Sequence, residues 1–215
     1  CCGSGHFLVA AFNLLVPLRM HDEKLTAEKA CEVVLRDNLF GLELDPRCTQ
    51  IAAFALALAA WKYPEAGGYR PLPTPNIACS GQGVTGKKEE WLVLTNGDDK
   101  LRNGMDRLYE LFQQAPHLGS LIDPMREKGN MYEAGFAELQ PLLAKALATK
   151  IEDVDLTAVG VAAQGIARAA ELLVRSYSLV LTNVPYLGIR KQNQEIAAFC
   201  ERFHKEARHD LATAF

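Results

Sequence analysis

Short apolar runs alternate with helical segments along this chain, and this alternation constrains the fold more than any other feature of the sequence. We predict strands at Leu39–Leu44, Asn76–Ser80 and Leu179–Thr182. Helical periodicity or helix-capping residues flank each of these runs. Strands that alternate with helices are typical of a parallel sheet with helices on both faces. The sequence therefore predicts an α/β fold, in which ligands bind beyond the carboxyl ends of the strands.

The predicted helices lie between and after these strands, at about residues 7–19, 27–36, 46–63, 158–175 and 194–205. Between about residues 81 and 155 the chain is polar and mostly helical, with further helices near 100–114 and 132–147. We expect this stretch to be a helical insertion that precedes the third strand.

Composition narrows the class of protein. The 215 residues are 49% apolar and 23% charged, which is typical of a globular chain with a sizeable core. The net charge of −3 does not indicate a nucleic-acid-binding surface by itself. The longest apolar run is too short to cross a bilayer. Six scattered cysteines predict reduced thiols in a cytoplasmic protein, and Cys200, His204 and His209 lack a fourth metal ligand.

Two polar clusters accompany the first strand. Gly3-Ser4-Gly5 precedes a helix, and its glycines would let a ligand approach the backbone near the helix N-terminus. Glu43 ends the strand, where a carboxylate can accept hydrogen bonds from both hydroxyls of a ribose. The alternatives are an ordinary turn at residues 3–5 and a solvated strand end at Glu43. We assign Asp45 to structure, as the N-cap of the next helix.

A third cluster, Asn183-Val184-Pro185-Tyr186, directly follows the last predicted strand. The Asn183 side-chain carbonyl and the Val184 backbone carbonyl can both accept from one exocyclic amino group, and Tyr186 can stack on the same ring. These contacts would hold a base flipped out of a duplex. The alternative is an Asn-X-Pro turn with a core tyrosine. Because the carboxyl ends of parallel strands meet at one edge, we expect all three clusters to converge there.

The segment Gly81–Lys88 carries a glycine fingerprint and nearly matches a phosphate-binding loop. Lys88, however, stands where such a loop needs the Ser or Thr that binds Mg²⁺. We expect a mobile loop near the ligand edge. An ATP-binding module that depends on Lys87 stays as an alternative.

Taken in order, the three clusters resemble those of amino-group DNA methyltransferases. Cys2-Gly-Ser-Gly-His-Phe7 resembles that family's cofactor loop, and Leu39–Pro46 resembles the strand whose acid holds the ribose of S-adenosylmethionine. Thr182–Gly188 resembles the Asn-Pro-Pro-Tyr motif of N6-adenine methylases. The trailing Arg190–Asn193 and Asp210–Phe215 resemble the large methylases of type IIG restriction-modification and BREX/Pgl-type phage-defence systems.

The resemblance implies a Rossmann-like, S-adenosylmethionine-dependent methyltransferase domain over residues 1–215, truncated at both ends, with the helical insertion at about 81–155. It implies methyl transfer to N6 of adenine in DNA, without a metal. The implied cofactor-binding residues are Cys2, Gly3, Ser4, Gly5, Phe7, Glu43 and Leu44. The implied catalytic residues are Asn183, Val184, Pro185 and Tyr186.

The chain departs from the family pattern at two places. Val184 replaces the first proline of the motif, although the family uses only the backbone carbonyl there. The second strand ends in Cys79-Ser80-Gly81, without the acid that often holds the cofactor's adenine.

We expect double-stranded DNA to be bound mainly by regions outside this chain, which alone should bind DNA weakly and turn over poorly. The alternatives are a methylase of RNA or of a protein glutamine, and a methylase-like scaffold without catalysis.

Overall fold

The computed structural model describes residues 1–95, 97–125, 154–205 and 208–215. These residues form a mixed α/β structure that is mostly helical and contains a small parallel sheet. The helices are α1 (His6–Glu23), α2 (Ala27–Val33), α3 (Pro46–Lys62), α4 (Lys88–Val93), α5 (Asp99–Phe112), α6 (Ala115–Leu118), α7 (Val154–Val174) and α8 (Gln194–Phe203). The strands are β1 (Phe40–Glu43) and β2 (Asn76–Cys79).

The chain divides into two compact units. The amino-terminal unit consists of Cys1–Ala78 and Leu179–Asn183. The carboxyl-terminal unit consists of Cys79–Ser178 and Val184–Phe215. Among the described residues, no helix combines the length and the apolar content that a membrane span requires.

Capping residues set the helix starts in the amino-terminal unit. The Thr26 hydroxyl accepts a hydrogen bond from the Lys29 N–H at 3.3 Å, and α2 begins at the next residue. Asp45 accepts from the Arg47 N–H at 2.8 Å and caps α3, whose first residue is Pro46. Both residues satisfy N–H groups that a helix leaves without an internal partner. The predicted caps are confirmed.

The sheet of this unit pairs β1 with β2. Both strands lie where the apolar runs predicted them. A Cβ atom at Gly41 of β1 would lie 3.1 Å from Leu8 Cδ1 and 3.2 Å from Cys2 Sγ. The absence of a side chain at Gly41 therefore lets β1 lie close to α1 and to the loop before it. The fully buried side chains of the core include Phe12, Val16, Leu35 and Leu56.

The predicted third strand, Leu179–Thr182, is not a strand in the structure. The segment is an irregular stretch, and Leu179, Val180 and Leu181 are 72%, 71% and 54% exposed. β1 and β2 pair with each other, and the segment joins neither of them through a backbone ladder. An apolar run becomes a buried strand only where a neighbouring strand satisfies its N–H and C=O groups. The prediction of a strand here was wrong for the described structure.

The carboxyl-terminal unit is helical and has its own core. Trp91, Met105, Leu108, Phe112 and Ile166 are fully buried within it. The indole N–H of Trp91 donates to the Thr85 carbonyl at 2.7 Å, so the buried polar atom has a partner. The predicted helices near 100–114, 158–175 and 194–205 are confirmed as α5, α7 and α8. The predicted helix near 132–147 lies outside the described residues.

The glycine-rich loop before α4 is a packed connection. A Cβ at Gly83 would lie 2.9 Å from Pro116 Cγ, and one at Gly86 would overlap the Glu90 carboxylate. Glu90 also accepts from the Lys87 N–H at 3.0 Å, so a carboxylate of the chain itself occupies the start of α4. The glycines at positions 83 and 86 thus serve close packing, and the expected mobility of this loop near a ligand edge stays a prediction.

Candidate functional site

The loop before α1 is a tight turn joined to the sheet. The Cys2 N–H donates to the Leu42 carbonyl of β1 at 2.9 Å, and the Gly5 N–H donates to the Cys2 carbonyl at 3.1 Å. Gly3 and Gly5 have φ values of +56° and +88°, a region that favours glycine over other residues. The sequence therefore forms a turn that residues with a side chain would strain.

The two glycines of this turn have different surroundings. A Cβ atom at Gly5 would lie 2.9 Å from the Ala52 Cα, so Gly5 lets α1 begin against α3. A Cβ atom at Gly3 would meet no atom within 4 Å. Gly5 is thus required for packing, whereas the space beside the Gly3 Cα is empty.

Glu43, the predicted ribose-binding acid at the end of β1, contacts the glycine turn. Its Oε2 accepts from the Gly3 N–H at 2.7 Å, and its Oε1 accepts from the Asp45 N–H at 3.3 Å. Glu43 and Gly3 are 40 residues apart in the chain. The structure therefore brings two of the three predicted clusters into direct contact.

Cys2 is held as a neutral thiol at this turn. Burial raises the pKa of Cys2 to about 11, and the nearby negative charge of Glu43 acts in the same direction. Only the thiolate is an effective nucleophile. Cys2 thus lines the turn as a small, weakly polar side chain.

Asp45 has the structural role that the sequence predicted. Hydrogen bonds from the Arg47 side chain and backbone lower the pKa of Asp45 to about 2. The Asp45 carboxylate is hydrogen-bonded to Arg47 at the start of α3, whereas the Glu43 carboxylate is hydrogen-bonded to Gly3. Of the two acids, Glu43 is the one that faces the glycine turn.

The remaining predicted cofactor residues flank the turn. Ser4 lies after Gly3, and its hydroxyl is 3.1 Å from His6 Nδ1. Phe7, in the first turn of α1, and Leu44, directly after Glu43, both keep nearly half of their surface exposed. Two apolar surfaces therefore stand beside the open backbone and the carboxylate.

The predicted catalytic residues lie in exposed, irregular chain. Asn183 is exposed and makes no hydrogen bond to another described residue. Tyr186 is 79% exposed, so it is not the core tyrosine of the alternative interpretation. Pro185 is also exposed, and Val184 is partly buried. The expected convergence of Asn183 with Glu43 and the glycine turn stays a prediction.

Asp210, the first residue of the trailing segment Asp210–Phe215, fixes the chain just beyond this motif through a contact that the sequence did not predict. Its carboxylate accepts from the Leu187 N–H at 3.2 Å and from the Ala212 N–H at 3.0 Å. The Leu211 N–H donates to the Leu187 carbonyl at 3.0 Å, beside an antiparallel bridge between Gly188 and Asp210. Asp210 is 23 residues from Leu187, so no local pattern could have indicated this contact.

Within the described ranges, no group of three or more His, Cys, Asp or Glu side chains is placed to hold a metal ion. Cys200 is fully buried, and burial raises its pKa. His204 ends α8 through a backbone hydrogen bond of 2.8 Å to the Cys200 carbonyl. These residues are accounted for by packing and by the helix end.

Comparison with known proteins gives two relatives along the whole chain, although no family model matches it. The chain is 25% identical over 237 residues to the adenine-specific methyltransferase BrxX of Escherichia coli O9:H4 (strain HS), covering 100% of this chain and 19% of the relative. It is 23% identical over 224 residues to the adenine-specific methyltransferase PglX of Lacticaseibacillus casei (strain Zhang), covering 99% of this chain and 17% of the relative. The chain thus spans about a fifth of the length of these curated relatives. The resemblance to this group of methylases is confirmed.

Proposed function

We propose that this chain, similar throughout to adenine-specific methyltransferases, carries the catalytic motifs of an enzyme that methylates N6 of adenine in DNA. The methyl donor is S-adenosylmethionine, and the setting is a restriction-modification or phage-defence system. The observation that carries the proposal is the hydrogen bond from the Gly3 N–H to Glu43. It joins a backbone open to a ligand with an acid able to hold a ribose.

The proposal extends to the fold. β1 and β2 form a parallel sheet, and α1 and α3 precede and follow β1 in the order that a Rossmann-like sheet requires. We assign residues 1–215 to one methyltransferase domain with a helical insertion at about 81–155. The charge and cysteine content fit a cytoplasmic enzyme.

The residues at the turn fit S-adenosylmethionine. A carboxylate has about four acceptor positions, so Glu43 can keep its bond to Gly3 and still accept from ribose hydroxyls. Gly3 offers open backbone to the methionine portion, and Phe7 and Leu44 offer apolar surface beside it. Bound at these residues, together with Cys2, Ser4 and Gly5, the cofactor would supply an electrophilic methyl group.

The chain's own part in the reaction is to hold the adenine. Flipping the base out of the duplex costs a few kcal/mol, which stacking and hydrogen bonds must offset. The exposed ring of Tyr186 is available to stack, and the carbonyls of Asn183 and Val184 accept from the amino group. Pro185 stiffens the backbone between Val184 and Tyr186. Catalysis then depends on positioning the amino nitrogen.

The test uses the full-length protein, methyl-labelled S-adenosylmethionine and unmethylated DNA, followed by identification of the modified base. We expect N6-methyladenine, and loss of transfer in Asn183→Ala with cofactor affinity retained. Asn13→Ala, at an exposed position of α1, is the matched control and should transfer normally.

Three results would contradict the proposal in different ways. Transfer by Asn183→Ala would remove the catalytic assignment. Cofactor binding without transfer to DNA would favour RNA or a protein glutamine as the substrate. Absence of both cofactor binding and methyl transfer in the unaltered protein would favour a methylase-like scaffold without catalysis.

A further inference from the structure

A turn that directly follows the Asn183–Tyr186 motif carries two adjacent cations. Ile189–Lys191 form one turn of 3-10 helix, closed by a hydrogen bond of 2.8 Å from the Lys191 N–H to the Gly188 carbonyl. Arg190 and Lys191 are both exposed. Neither forms an ion pair with another residue that the structure describes. We refer to residues 188–191 as the basic turn.

An antiparallel bridge to the segment at Asp210 anchors the backbone of the basic turn. Gly188 and Asp210 form an antiparallel bridge, and the Ile189 N–H donates to the His209 carbonyl at 2.9 Å. The Asp210 carboxylate holds the Leu187 N–H just before the turn. The backbone that carries both cations is therefore fixed by several hydrogen bonds.

The chain is fixed on leaving the turn as well. The Gln192 side-chain amide donates to the Leu187 carbonyl at 3.0 Å and to the Arg208 carbonyl at 3.4 Å. Asn193 then caps α8 by accepting from the Ile196 N–H at 2.8 Å. Side chains therefore hold both ends of the basic turn, while its two cations extend into solvent.

Two acids of the same unit, Asp210 and Glu201, have partners of their own. Asp210 is held by the backbone N–H groups of Leu187 and Ala212. Glu201 pairs with Arg208 at 2.9 Å. The charges of Arg190 and Lys191 are thus not neutralised by these two acids.

We infer that Arg190 and Lys191 bind backbone phosphates of the DNA strand beside the flipped adenine, an inference that rests on the proposed function. Arg190 is four residues beyond Tyr186, which limits their separation to about 14 Å along an extended chain. Successive nucleotides rise about 3.4 Å along one strand, so the neighbouring phosphates lie within this reach. Phosphate contacts set the position of a protein on DNA without reading sequence. A fixed basic turn would thus set the strand relative to Tyr186.

The first test measures DNA binding by the full-length protein as a function of salt. The variant Arg190→Gln with Lys191→Gln removes two cations from the basic turn. The control, Lys24→Gln with Lys62→Gln, removes two exposed cations from the amino-terminal unit. We expect the slope of log affinity against log salt to fall by about 2 in the variant only. DNA affinity near physiological salt should fall roughly tenfold or more.

Kinetics separate a phosphate contact from a folding defect. The variant at Arg190 and Lys191 should raise the KM for DNA while leaving the affinity for S-adenosylmethionine unchanged. The unaltered protein could methylate DNA while the variant and the control show the same slope of log DNA affinity against log salt. That result would overturn this inference and leave the proposed function standing. Failure of the unaltered protein to bind or methylate DNA would overturn both the inference and the proposed function.

A second test addresses the anchoring. Asp210→Ala removes a negative charge, which by charge alone should tighten DNA binding. Because it also releases the Leu187 N–H and loosens the basic turn, we expect binding to weaken. Glu195→Ala, at an exposed acid of α8, is the charge-matched control and should bind as well as the unaltered protein or better. Tighter binding by Asp210→Ala would show that anchoring has no role.

Discussion

Helix α5 of the carboxyl-terminal unit and helix α1 of the amino-terminal unit differ in how much of their apolar surface is buried. In α5 of the carboxyl-terminal unit, Leu101, Met105, Leu108 and Phe112 recur every three or four residues and are all buried. In α1 of the amino-terminal unit, Phe12 and Val16 are buried, but Leu14 is 70% exposed.

A second apolar face therefore distinguishes α1 and α3 from α5. α1 exposes Leu14 and Leu18, and α3 exposes Ile51 and Phe54. Amphipathic helices such as α5 are typical of a protein surface, whereas helices that are apolar on most sides are typical of an interior. The candidate cofactor residues belong to the unit that contains α1 and α3, while the basic turn belongs to the unit that contains α5.

The largest effects should come from truncating the two cores. Phe12→Ala and Phe112→Ala each remove a fully buried ring, so each should lower the free energy of unfolding by about 3–5 kcal/mol. Under conditions where both variants remain folded, calorimetry should detect weakened cofactor binding only in Phe12→Ala. An equal loss of cofactor affinity in both variants would show that the core of the carboxyl-terminal unit also supports cofactor binding.

Substitutions at the two glycines of the turn should have different effects, one on packing and the other on ligand binding. Gly5→Ala combines a positive φ with an overlap at Ala52, so it should cost about 1–2 kcal/mol for the backbone and about 1–3 kcal/mol for the overlap. Gly3→Ala has only the backbone cost, and it should weaken cofactor binding instead. Urea denaturation and cofactor titration of both variants test this contrast. Equal free energies of unfolding for Gly5→Ala and Gly3→Ala would contradict it.

Asp45 should make the stability of the amino-terminal unit depend on acid pH. Its pKa is lowered to about 2 from an ordinary 3.8, so its ionised form favours the folded state. The contribution is present above pH 4 and disappears as the pH falls toward 2. Unfolding measured across this range should show a shallower pH dependence in Asp45→Asn than in the unaltered chain. An unchanged slope would contradict the role of the Arg47 contact.

The smallest effect should come from the exposed face of α1. Leu14→Gln alters a side chain that is mostly in solvent, so the free energy of unfolding should change by less than about 0.5 kcal/mol. Leu108→Gln, at a fully buried position of α5, is the contrasting variant and should be strongly destabilising. A large loss of stability in Leu14→Gln would show that this face is already packed.

Local signals predicted much of this molecule. Thr26 and Asp45 cap helices through contacts two or three residues away, and such contacts are encoded in short sequence patterns. The strands at Phe40–Glu43 and Asn76–Cys79 followed from apolar runs between turn residues. Glu43 was selected as a ligand residue from its place at a strand end, and the structure puts it against the glycine turn.

The features that sequence did not predict depend on distant neighbours. Leu179–Thr182 has the composition of a buried strand but lacks a pairing strand among the described residues. Gly83 and Gly86 resemble a ligand loop in sequence, yet their space is filled by Pro116 and Glu90. Asp210 anchors a turn more than twenty residues away in sequence.

The raised pKa of Cys2 has a chemical consequence if S-adenosylmethionine binds at this turn as proposed. At pH 7 a thiol with a pKa of about 11 is ionised in only about one molecule in ten thousand. A sulfonium methyl donor alkylates thiolates, and Cys2 stands in the loop that would hold it. Burial and the nearby negative charge of Glu43 would therefore keep Cys2 unreactive toward a methyl donor bound at this turn.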